Sequence, residues 1–295
     1  MTRGRGEFFC IAEVAERLRS IFTRWGYREI VLPVVENYAP QIRKGTKFVH
    51  ENGFYLICPD ATSRIIANFG DVEKMRVFYI GEVLNGGVRG EWQAGIEFIG
   101  GREGWMQAEV LLVAITALEA LNIQDFYIDI GSLEVWRRAT EGIESFREDI
   151  FAALFRRNFE LVERLPLTEK KKRELWALFN FRKRSSGIDR IDRILRIVGD
   201  NRIFVDFGTV RPLPYYTDLI FEIYSPRAGR PLGGGGEYRV MGKEAMGFTL
   251  NLNTLLSLYA PRPRKRRVIE GVDAKKAYSL ARRYVEMGIP VEVEQ

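Results

Sequence analysis

Hydrophobic residues recur along this chain at two spacings, which alternate several times from one end to the other. A repeat every three or four residues is typical of a helix with one buried face, and strict alternation is typical of a strand. The helical repeat predicts helices at residues 8–25 and 105–121 and within a long block at 133–200. Strands are predicted at 27–35, 126–130 and 203–207, and residues 245–258 are predicted to form a strand followed by a short helix. Strands and helices are therefore interspersed, as in a mixed α+β fold.

Two further pairs of strands are joined by short turn signals. Residues 46–58 surround Glu51-Asn52-Gly53, and residues 79–100 surround Gly86-Gly87. Small residues of this kind between two alternating runs predict β-hairpins.

The second strand of the 79–100 hairpin carries an unusual set of polar residues. Gln93, Gly95 and Glu97 share one face, because successive side chains of a strand point to opposite faces. An amide and a carboxylate with a glycine between them fit the floor of a pocket for a small polar, cationic ligand. They also fit the solvent-facing edge of an ordinary hairpin.

Two loops add candidate binding residues. Asp60 and Thr62 precede a short apolar helix, where either could cap the helix or line the rim of a pocket. Arg211 lies close to Tyr215 and Tyr216, a combination suited to recognition of a carboxylate and an aromatic ring. A proline-rigidified loop packed by its tyrosines would have the same sequence.

Four consecutive glycines at 233–236 allow the backbone to approach a ligand closely, and they equally suit a flexible surface turn. No Gly-Lys-Ser/Thr follows them, so they are not a phosphate-binding P-loop.

Length and composition narrow the class of protein. A chain of 295 residues corresponds to two domains or one large one, and it has no apolar run of roughly 18 residues. The charged N-terminus does not resemble a secretory signal. With only Cys10 and Cys58, a cytoplasmic protein without a disulfide framework is expected. A single histidine, His50, argues against histidine-based metal sites and against Ser/His/Asp or Cys/His relays.

The chain is basic, with a formal net charge of +6 and a pI of about 9.3. Basic clusters at 170–173, 182–184 and 262–267 could attract polyanions or simply be solvated. Solvation is favoured, because no aromatic residues are interleaved with the clusters in the sequence.

Six segments, in this order, resemble the class II aminoacyl-tRNA synthetase core and specifically histidyl-tRNA synthetase. Three segments resemble the motifs common to class II enzymes: residues 26–36 resemble motif 1, the dimer-forming strand with its proline, Pro33; residues 79–100 resemble motif 2; and residues 245–256 resemble motif 3. The other three resemble segments of histidyl-tRNA synthetase: residues 59–62 the Pro-Glu-Gly-Thr loop that lines the histidine pocket, residues 211–216 the Arg-Gly-Leu-Asp-Tyr-Tyr loop, and residues 234–238 the Gly-Gly-Gly-Arg-Tyr-Asp strand.

This resemblance implies an antiparallel sheet flanked by helices. The synthetase-like core would span residues 1–263 and contain a helical insertion at about 133–200. A short strand–helix–strand remnant would follow at 264–295, which is too few residues for a complete anticodon-binding domain.

The chain departs from the synthetase pattern at the residues that bind ATP. Class II enzymes grip the ATP phosphates with one arginine in motif 2 and one in motif 3, and these positions hold Asn85 and Thr254. Neither side chain can supply the positive charge that the activated α-phosphate requires. Pro214 also replaces an aspartate of the histidyl-specific loop. Adenylation is therefore not expected.

A histidyl-tRNA synthetase-like core without these arginines is similar to the regulatory subunit of ATP phosphoribosyltransferase, the HisZ family. The resemblance implies a non-catalytic subunit that forms a hetero-oligomer with a short catalytic subunit, activates it in the first step of histidine biosynthesis and participates in feedback inhibition by histidine. It also implies a self-dimer through motif 1, and no cofactor or metal.

The same resemblance implies roles for seven residues in binding L-histidine. Gln93 and Glu97 would receive the α-ammonium group and Arg211 would face the carboxylate. The remaining four would contact the ligand from the 59–62 loop and flank its imidazole: Asp60, Thr62, Tyr215 and Tyr216.

Two other functions are compatible with the sequence. A reduced synthetase-like enzyme could activate an amino acid with a different phosphate clamp, for which Arg89 and Arg102 are the nearby cations. The basic clusters suggest an RNA-binding paralogue instead.

Overall fold

The computed structural model describes residues 5–39, 42, 45–69, 72–84, 89–211, 215–260, 266–270 and 273–294. The chain divides into two compact units, Met1–Tyr259 and Ala260–Gln295. The sequence predicted the end of the core a few residues later, at 263.

Within its described residues, the first unit contains nine α-helices and one 3-10 turn. They are α1 (Arg5–Arg24), α2 (Ala61–Asn68), α3 (Trp105–Ala120), α4 (Leu133–Ala139), a 3-10 turn (Glu144–Phe146), α5 (Arg147–Phe155), α6 (Glu160–Glu163), α7 (Glu169–Phe179), α8 (Asp189–Val198) and α9 (Leu252–Leu256). Its strands are β1 (Arg28–Glu29), β2 (Val35–Asn37), β3 (Thr46–His50), β4 (Gly53–Ile57), β5 (Met75–Leu84), β6 (Gly90–Ile99), β7 (Tyr127–Ser132), β8 (Arg182–Lys183), β9 (Ile203–Asp206), β10 (Tyr216–Tyr224), β11 (Gly233–Val240) and β12 (Lys243–Asn251).

Nine of these strands form one sheet in the order β1-β5-β6-β12-β11-β10-β7-β9-β8. The six central strands, from β5 to β7, are antiparallel to one another. The α+β fold with an antiparallel sheet flanked by helices is therefore confirmed. Near the two edges the sheet differs from the prediction, because β1 runs parallel to β5 and β9 runs parallel to β7.

The main core lies between one face of this sheet and the helices α1, α3 and α9. Helix α3 is mostly apolar and buries Val110, Leu111, Ala114 and Leu118 completely. Alternate residues of β6, such as Ile96, point into the same core. By the period of two, the polar residues between them face away from these helices.

The predicted helical insertion at 133–200 is mainly helical, but it is not one separate layer. Helices α4 to α7 have a hydrophobic core of their own, which includes Trp136, Leu154 and Leu175. Helix α8 instead buries Ile194 and Val198 in the main core. Strand β8, which the helical pattern did not predict, pairs with β9 in the main sheet.

In the motif 1 segment, residues 26–36, the strand predicted at 27–35 with an interruption at Pro33 is broken over a longer stretch. It forms β1 in the large sheet and then β2 in a three-stranded sheet of order β2-β4-β3, with no strand between them. Val31 in this connection is 92 % exposed. A strand was expected because these residues are apolar, but no described strand forms a ladder with the connection, although the N–H of Ile30 donates a hydrogen bond of 2.9 Å to the carbonyl oxygen of Phe78 on β5.

The four glycines are not a surface turn. They form the first half of β11, in the middle of the large sheet, where β10 and β12 pair with them on either side. Backbone hydrogen bonds from both neighbours stabilise a strand that has no side chains of its own to favour it.

The basic cluster at 182–184 does have aromatic neighbours in three dimensions. The guanidinium carbons of Arg182 and Arg184 each lie 3.9 Å from the ring centroid of Phe204, a residue of β9. Arg182 also forms an ion pair with Asp129 at 3.0 Å. Internal contacts therefore occupy these arginines, which the linear sequence could not reveal.

The second unit has the predicted strand–helix–strand order: β13 (Arg267–Glu270), α10 (Ala274–Glu286) and β14 (Val291–Glu294). The two strands are parallel, and Ile269, Ala277 and Ala281 form a small core beneath the helix. Within the described residues, no helix of either unit combines the length and apolarity that crossing a membrane requires.

Candidate functional site

A cavity of about 510 Å³ opens on the sheet face that α1 and α3 leave uncovered. Strands β6, β10, β11 and β12 and the start of α2 contribute to its walls. All seven residues that the resemblance implied line it: Asp60, Thr62, Gln93, Glu97, Arg211, Tyr215 and Tyr216. Residues as far apart in sequence as Asp60 and Tyr216 thus meet at one site.

Glycines shape the floor of the cavity. Gly234, Gly236 and Gly247 line it on β11 and β12. A Cβ atom on Gly247 would overlap the carboxylate of Glu97, and a Cβ on Gly234 would overlap the guanidinium of Arg211. Larger residues at these positions would displace the charged groups, which explains why this part of the sheet is made of glycine.

Glu97 lies at the centre of the site and is 1 % exposed. The hydroxyl of Thr62 donates a hydrogen bond of 2.6 Å to its Oε1, and the hydroxyl of Tyr238 donates one of 2.7 Å to its Oε2. Burial raises the pKa of Glu97 to about 7, and the two hydroxyl donors counteract part of that rise. Each carboxylate oxygen keeps a lone pair for a cationic donor of a ligand.

Both interpretations of the 59–62 loop hold at once. Asp60 caps α2, with its Oδ1 accepting a hydrogen bond of 3.0 Å from the backbone N–H of Ser63, and it also lines the cavity. Thr62 belongs to the first turn of the same helix and contacts Glu97. The start of α2 therefore fixes one wall of the site.

Arg211 and the two tyrosines form the opposite wall. Arg211 Nη1 lies 3.6 Å from Oε1 of Glu222, and its side chain is 25 % exposed. The rings of Tyr215 and Tyr216 meet edge to face with centroids 4.8 Å apart. Burial raises the pKa of both hydroxyls, so they remain neutral donors at physiological pH.

The sequence did not identify several further residues that line the cavity, and three of them make hydrogen bonds inside it. Tyr79 and Thr249 share a hydrogen bond of 2.6 Å, and Tyr238 holds Glu97. Alternation along β12 could have revealed Thr249, since Gly247, Thr249 and Asn251 pair with Glu97, Gly95 and Gln93 respectively. Recognising this required knowing that β12 is the neighbour of β6.

The charge of the cavity is negative among the residues described. Four carboxylates line it, from Asp60, Glu91, Glu97 and Glu222, against two guanidinium groups, from Arg211 and Arg239. Arg239 itself forms an ion pair with Glu244 at 2.7 Å. Such a cavity suits a small ligand that carries both a cation and a carboxylate, and it disfavours a polyphosphate.

The structure describes only one of the two residues that stand in place of the catalytic arginines. Asn85 lies outside the described residues. Thr254 is buried in α9, 4 % exposed, and does not line the cavity. Its Oγ1 is buried and has no hydrogen-bond partner among the residues that the structure describes.

The two arginines that could have replaced the missing clamp do not line the cavity either. Arg102 instead lies over the ring of Trp105, with its guanidinium carbon 5.7 Å from the centroid. Among the described residues there is also no group of three or more histidine, cysteine or carboxylate side chains that could hold a metal ion.

Comparison with known proteins gives two kinds of curated relative. An ATP phosphoribosyltransferase regulatory subunit of Thermoanaerobacter sp. (strain X514) is 27 % identical, over 88 % of this chain and 80 % of the relative. A histidine–tRNA ligase of Methanocaldococcus jannaschii is 26 % identical, over 76 % of this chain and 64 % of the relative. The resemblance to regulatory subunits of the HisZ family is thereby confirmed.

Solved structures show the same fold. An ATP phosphoribosyltransferase regulatory subunit/histidyl-tRNA synthetase from Bacillus halodurans superimposes with a TM-score of 0.79 at 20 % identity, covering 97 % of this chain and 89 % of that one. A chain of the ATP phosphoribosyl transferase (HisG:HisZ) complex from Thermotoga maritima gives a TM-score of 0.68 at 18 % identity, covering 81 % and 96 %.

The family itself follows from a match to one protein-family model. The model for histidyl-tRNA synthetase matches residues 6–200 and 169–255, which include every cavity residue discussed above. These two overlapping stretches make up most of the 295 residues, and this chain therefore belongs to the histidyl-tRNA synthetase family.

Proposed function

We propose that this chain is a non-catalytic regulatory subunit. It joins the short-form ATP phosphoribosyltransferase catalytic subunit in a hetero-oligomer, activates it in the first step of L-histidine biosynthesis, and acts in the cytoplasm. The observation that carries the proposal is the cavity itself: among the described residues it keeps groups that could bind an amino acid, and it contains no pair of unpaired arginines for the phosphates of ATP. The names of several relatives, which are regulatory subunits of that enzyme, support the same function.

The missing clamp argues against amino-acid activation. Transfer of an adenylyl group places extra negative charge on the α-phosphate, and preorganised cations at that position are the usual means of stabilising it. In this chain Thr254 is buried away from the cavity, while Arg211 lies beside Glu222 and Arg239 is paired with Glu244. Neither arginine is left uncompensated to bind a triphosphate.

L-Histidine is the ligand we propose for the cavity, through which feedback inhibition would act. Glu97 and Gln93 would accept the α-ammonium group, and Arg211 would bind the carboxylate in place of its contact with Glu222. Tyr215 and Tyr216 would flank the imidazole. The charges and the size of the cavity suit this zwitterion.

We also propose that the chain forms a dimer through the motif 1 segment. Val31, Val34 and Val35 are 92, 64 and 46 % exposed within a span of five residues. A run of exposed valines is costly in water and is typical of a surface that a partner covers. The partner proposed is a second copy of this chain.

The test is to mix the chain with the short-form catalytic subunit of the same organism. One complex is expected by size-exclusion chromatography with light scattering, with faster formation of phosphoribosyl-ATP than by the catalytic subunit alone. Separate elution together with an unchanged rate would refute the proposal. Histidine-dependent pyrophosphate–ATP exchange by the chain alone would favour the synthetase alternative instead.

A further inference from the structure

A buried arginine connects the motif 1 segment to the wall of the cavity. Arg64 lies on α2, and its side chain is only 3 % exposed. Its Nε donates a hydrogen bond of 3.1 Å to Oε1 of Glu36 on β2. Its Nη1 donates to the carbonyl oxygen of Pro59 at 3.5 Å, and its Nη2 donates to the carbonyl oxygen of Pro33.

A guanidinium in this position requires all of these partners. Removing a charge from water is costly unless it is paired and hydrogen-bonded, and breaking a buried pair is strongly destabilising. The planar fork of arginine reaches three acceptors in fixed directions, which the single ammonium of lysine cannot do. The geometry of residues 33–36 and the geometry of the 59–62 loop are thus tied together by one side chain.

Arg64 contacts the exposed part of the motif 1 segment on one side and the wall of the cavity on the other. On one side, Pro33 and Glu36 flank the exposed residues Val34 and Val35. On the other, Pro59 immediately precedes Asp60 in the wall of the cavity. A backbone hydrogen bond of 2.7 Å from Cys58 N–H to the carbonyl oxygen of Val34 runs alongside the arginine.

The connection continues to the centre of the site. Arg64 follows Thr62 by two residues on the same helix, and Thr62 holds Oε1 of Glu97. Any movement of residues 33–36 that draws Arg64 with it also moves the hydroxyl that orients this carboxylate.

We propose that Arg64 is a positioning residue that makes ligand binding in the cavity depend on the packing of the motif 1 segment. Residues 30–34 lie outside any strand, and Val31 and Val34 among them are exposed, although Ile30 and Leu32 pack against the core. When a second copy of this chain covers the exposed valines, the carbonyl group of Pro33 is held in place beside Glu36, which β4 already fixes, and through Arg64 the start of α2 is held with them. Assembly and ligand binding then favour each other, as linkage requires. This inference rests on the proposed L-histidine cavity.

The experiment measures L-histidine affinity by calorimetry on the full chain, for the wild type, Arg64→Lys and a control. Arg64→Lys keeps the charge but loses the fork, and we expect about tenfold weaker binding, the scale of losing one charged hydrogen bond. The control is Arg19→Lys, since Arg19 forms two-point hydrogen bonds with Glu29 of the same segment, at 2.8 and 3.0 Å, without touching the 59–62 loop. The affinity of Arg19→Lys for L-histidine is expected to differ from the wild type by less than twofold.

A double-mutant cycle separates positioning from a general loss of stability. If Arg64 acts through Thr62, Arg64→Lys weakens binding in the wild type but has little further effect in a Thr62→Val background. Equal effects in both backgrounds would overturn the inference. Should Arg64→Lys fail to fold, Glu36→Gln, which removes the charge of its partner, takes its place in the cycle.

A concentration series tests whether L-histidine binding depends on dimer formation. Wild-type affinity for L-histidine is expected to rise with protein concentration across the range in which the dimer forms, and Arg64→Lys is expected to abolish that rise. A wild type that does not bind L-histidine at any concentration would refute the proposed ligand. A wild type whose binding is tight and independent of concentration would refute the role of Arg64 alone.

Discussion

The hydroxyl of Tyr238 on β11 donates a hydrogen bond of 2.7 Å to Oε2 of Glu97 on β6, across the intervening strand β12. This contact is possible because Gly247, the β12 residue opposite Glu97, has no side chain. Together with Thr62, Tyr238 fixes a buried carboxylate in one orientation. The site is therefore preorganised to accept a cationic donor before any ligand arrives.

Glu97→Gln is expected to weaken binding of L-histidine by about tenfold to a hundredfold, because the variant keeps the shape but loses the charged acceptor for the ammonium group. Calorimetry on the isolated chain measures the effect. Glu134→Gln, on the exposed part of α4, is the control and should bind as the wild type does. Equal affinities of the two variants would remove Glu97 from the site.

The raised pKa of Glu97 predicts a pH dependence of stability. Between its usual value of 4.5 and about 7, the folded protein retains a proton that the unfolded chain has released. The contribution of Glu97 to the free energy of unfolding is therefore fully present below pH 4.5 and is lost as the pH rises through 7. Urea unfolding at pH 5 and pH 8 should show a smaller decrease for Glu97→Gln than for the wild type. A decrease of the same size in both would contradict the assigned pKa.

Gly247→Ala is expected to destabilise the protein by about 1–3 kcal/mol, the usual cost of overpacking, and to abolish L-histidine binding, since the added methyl group displaces the Glu97 carboxylate. Gly81→Ala on β5 is the matched control, because an added Cβ there meets open space. Urea unfolding and calorimetry on both variants check the prediction. If Gly247→Ala bound L-histidine normally, the carboxylate would not be the acceptor.

Thr254→Val is expected to raise the free energy of unfolding by about 1 kcal/mol, because it removes a buried hydroxyl that has no partner. Thr116→Val should lower it, since the Thr116 hydroxyl accepts a hydrogen bond of 2.9 Å from Nε1 of Trp25 and donates one to the carbonyl oxygen of Leu112. Urea midpoints distinguish the two. A destabilised Thr254→Val would show that this position still needs a polar group.

The sequence predicted the elements with strong periodicity well. Helix α3 and the hairpin of β5 and β6 lie where the pattern placed them, since long apolar repeats outweigh other local signals. At the four glycines of β11 the surface turn is wrong, and the strand that the resemblance implied is present. At the motif 1 segment, where a strand interrupted by Pro33 was predicted, the interruption is longer. In the first case two flanking strands impose extended structure on residues without β propensity. In the second, Ile30 and Leu32 pack against the core while Val31 and Val34 are exposed, and no strand of the described residues pairs with this connection.

The residues of the candidate site were also predicted only in part. The seven candidate residues were found through short motifs, each of which stays together in sequence. The sequence motifs did not reveal three other cavity residues, Tyr79, Tyr238 and Thr249, because the role of each depends on which strands are neighbours in the sheet. Arg64 gave no signal at all: an arginine in an amphipathic helix looks solvated until its burial is known.

The central claim is that this member of a synthetase family activates a phosphoribosyltransferase and does not itself catalyse a reaction. Its most direct test is a titration of the short-form catalytic subunit with the chain, following the initial rate of phosphoribosyl-ATP formation. The rate is expected to rise with added chain and to saturate at a fixed molar ratio. A rate that stays flat throughout the titration would contradict the account.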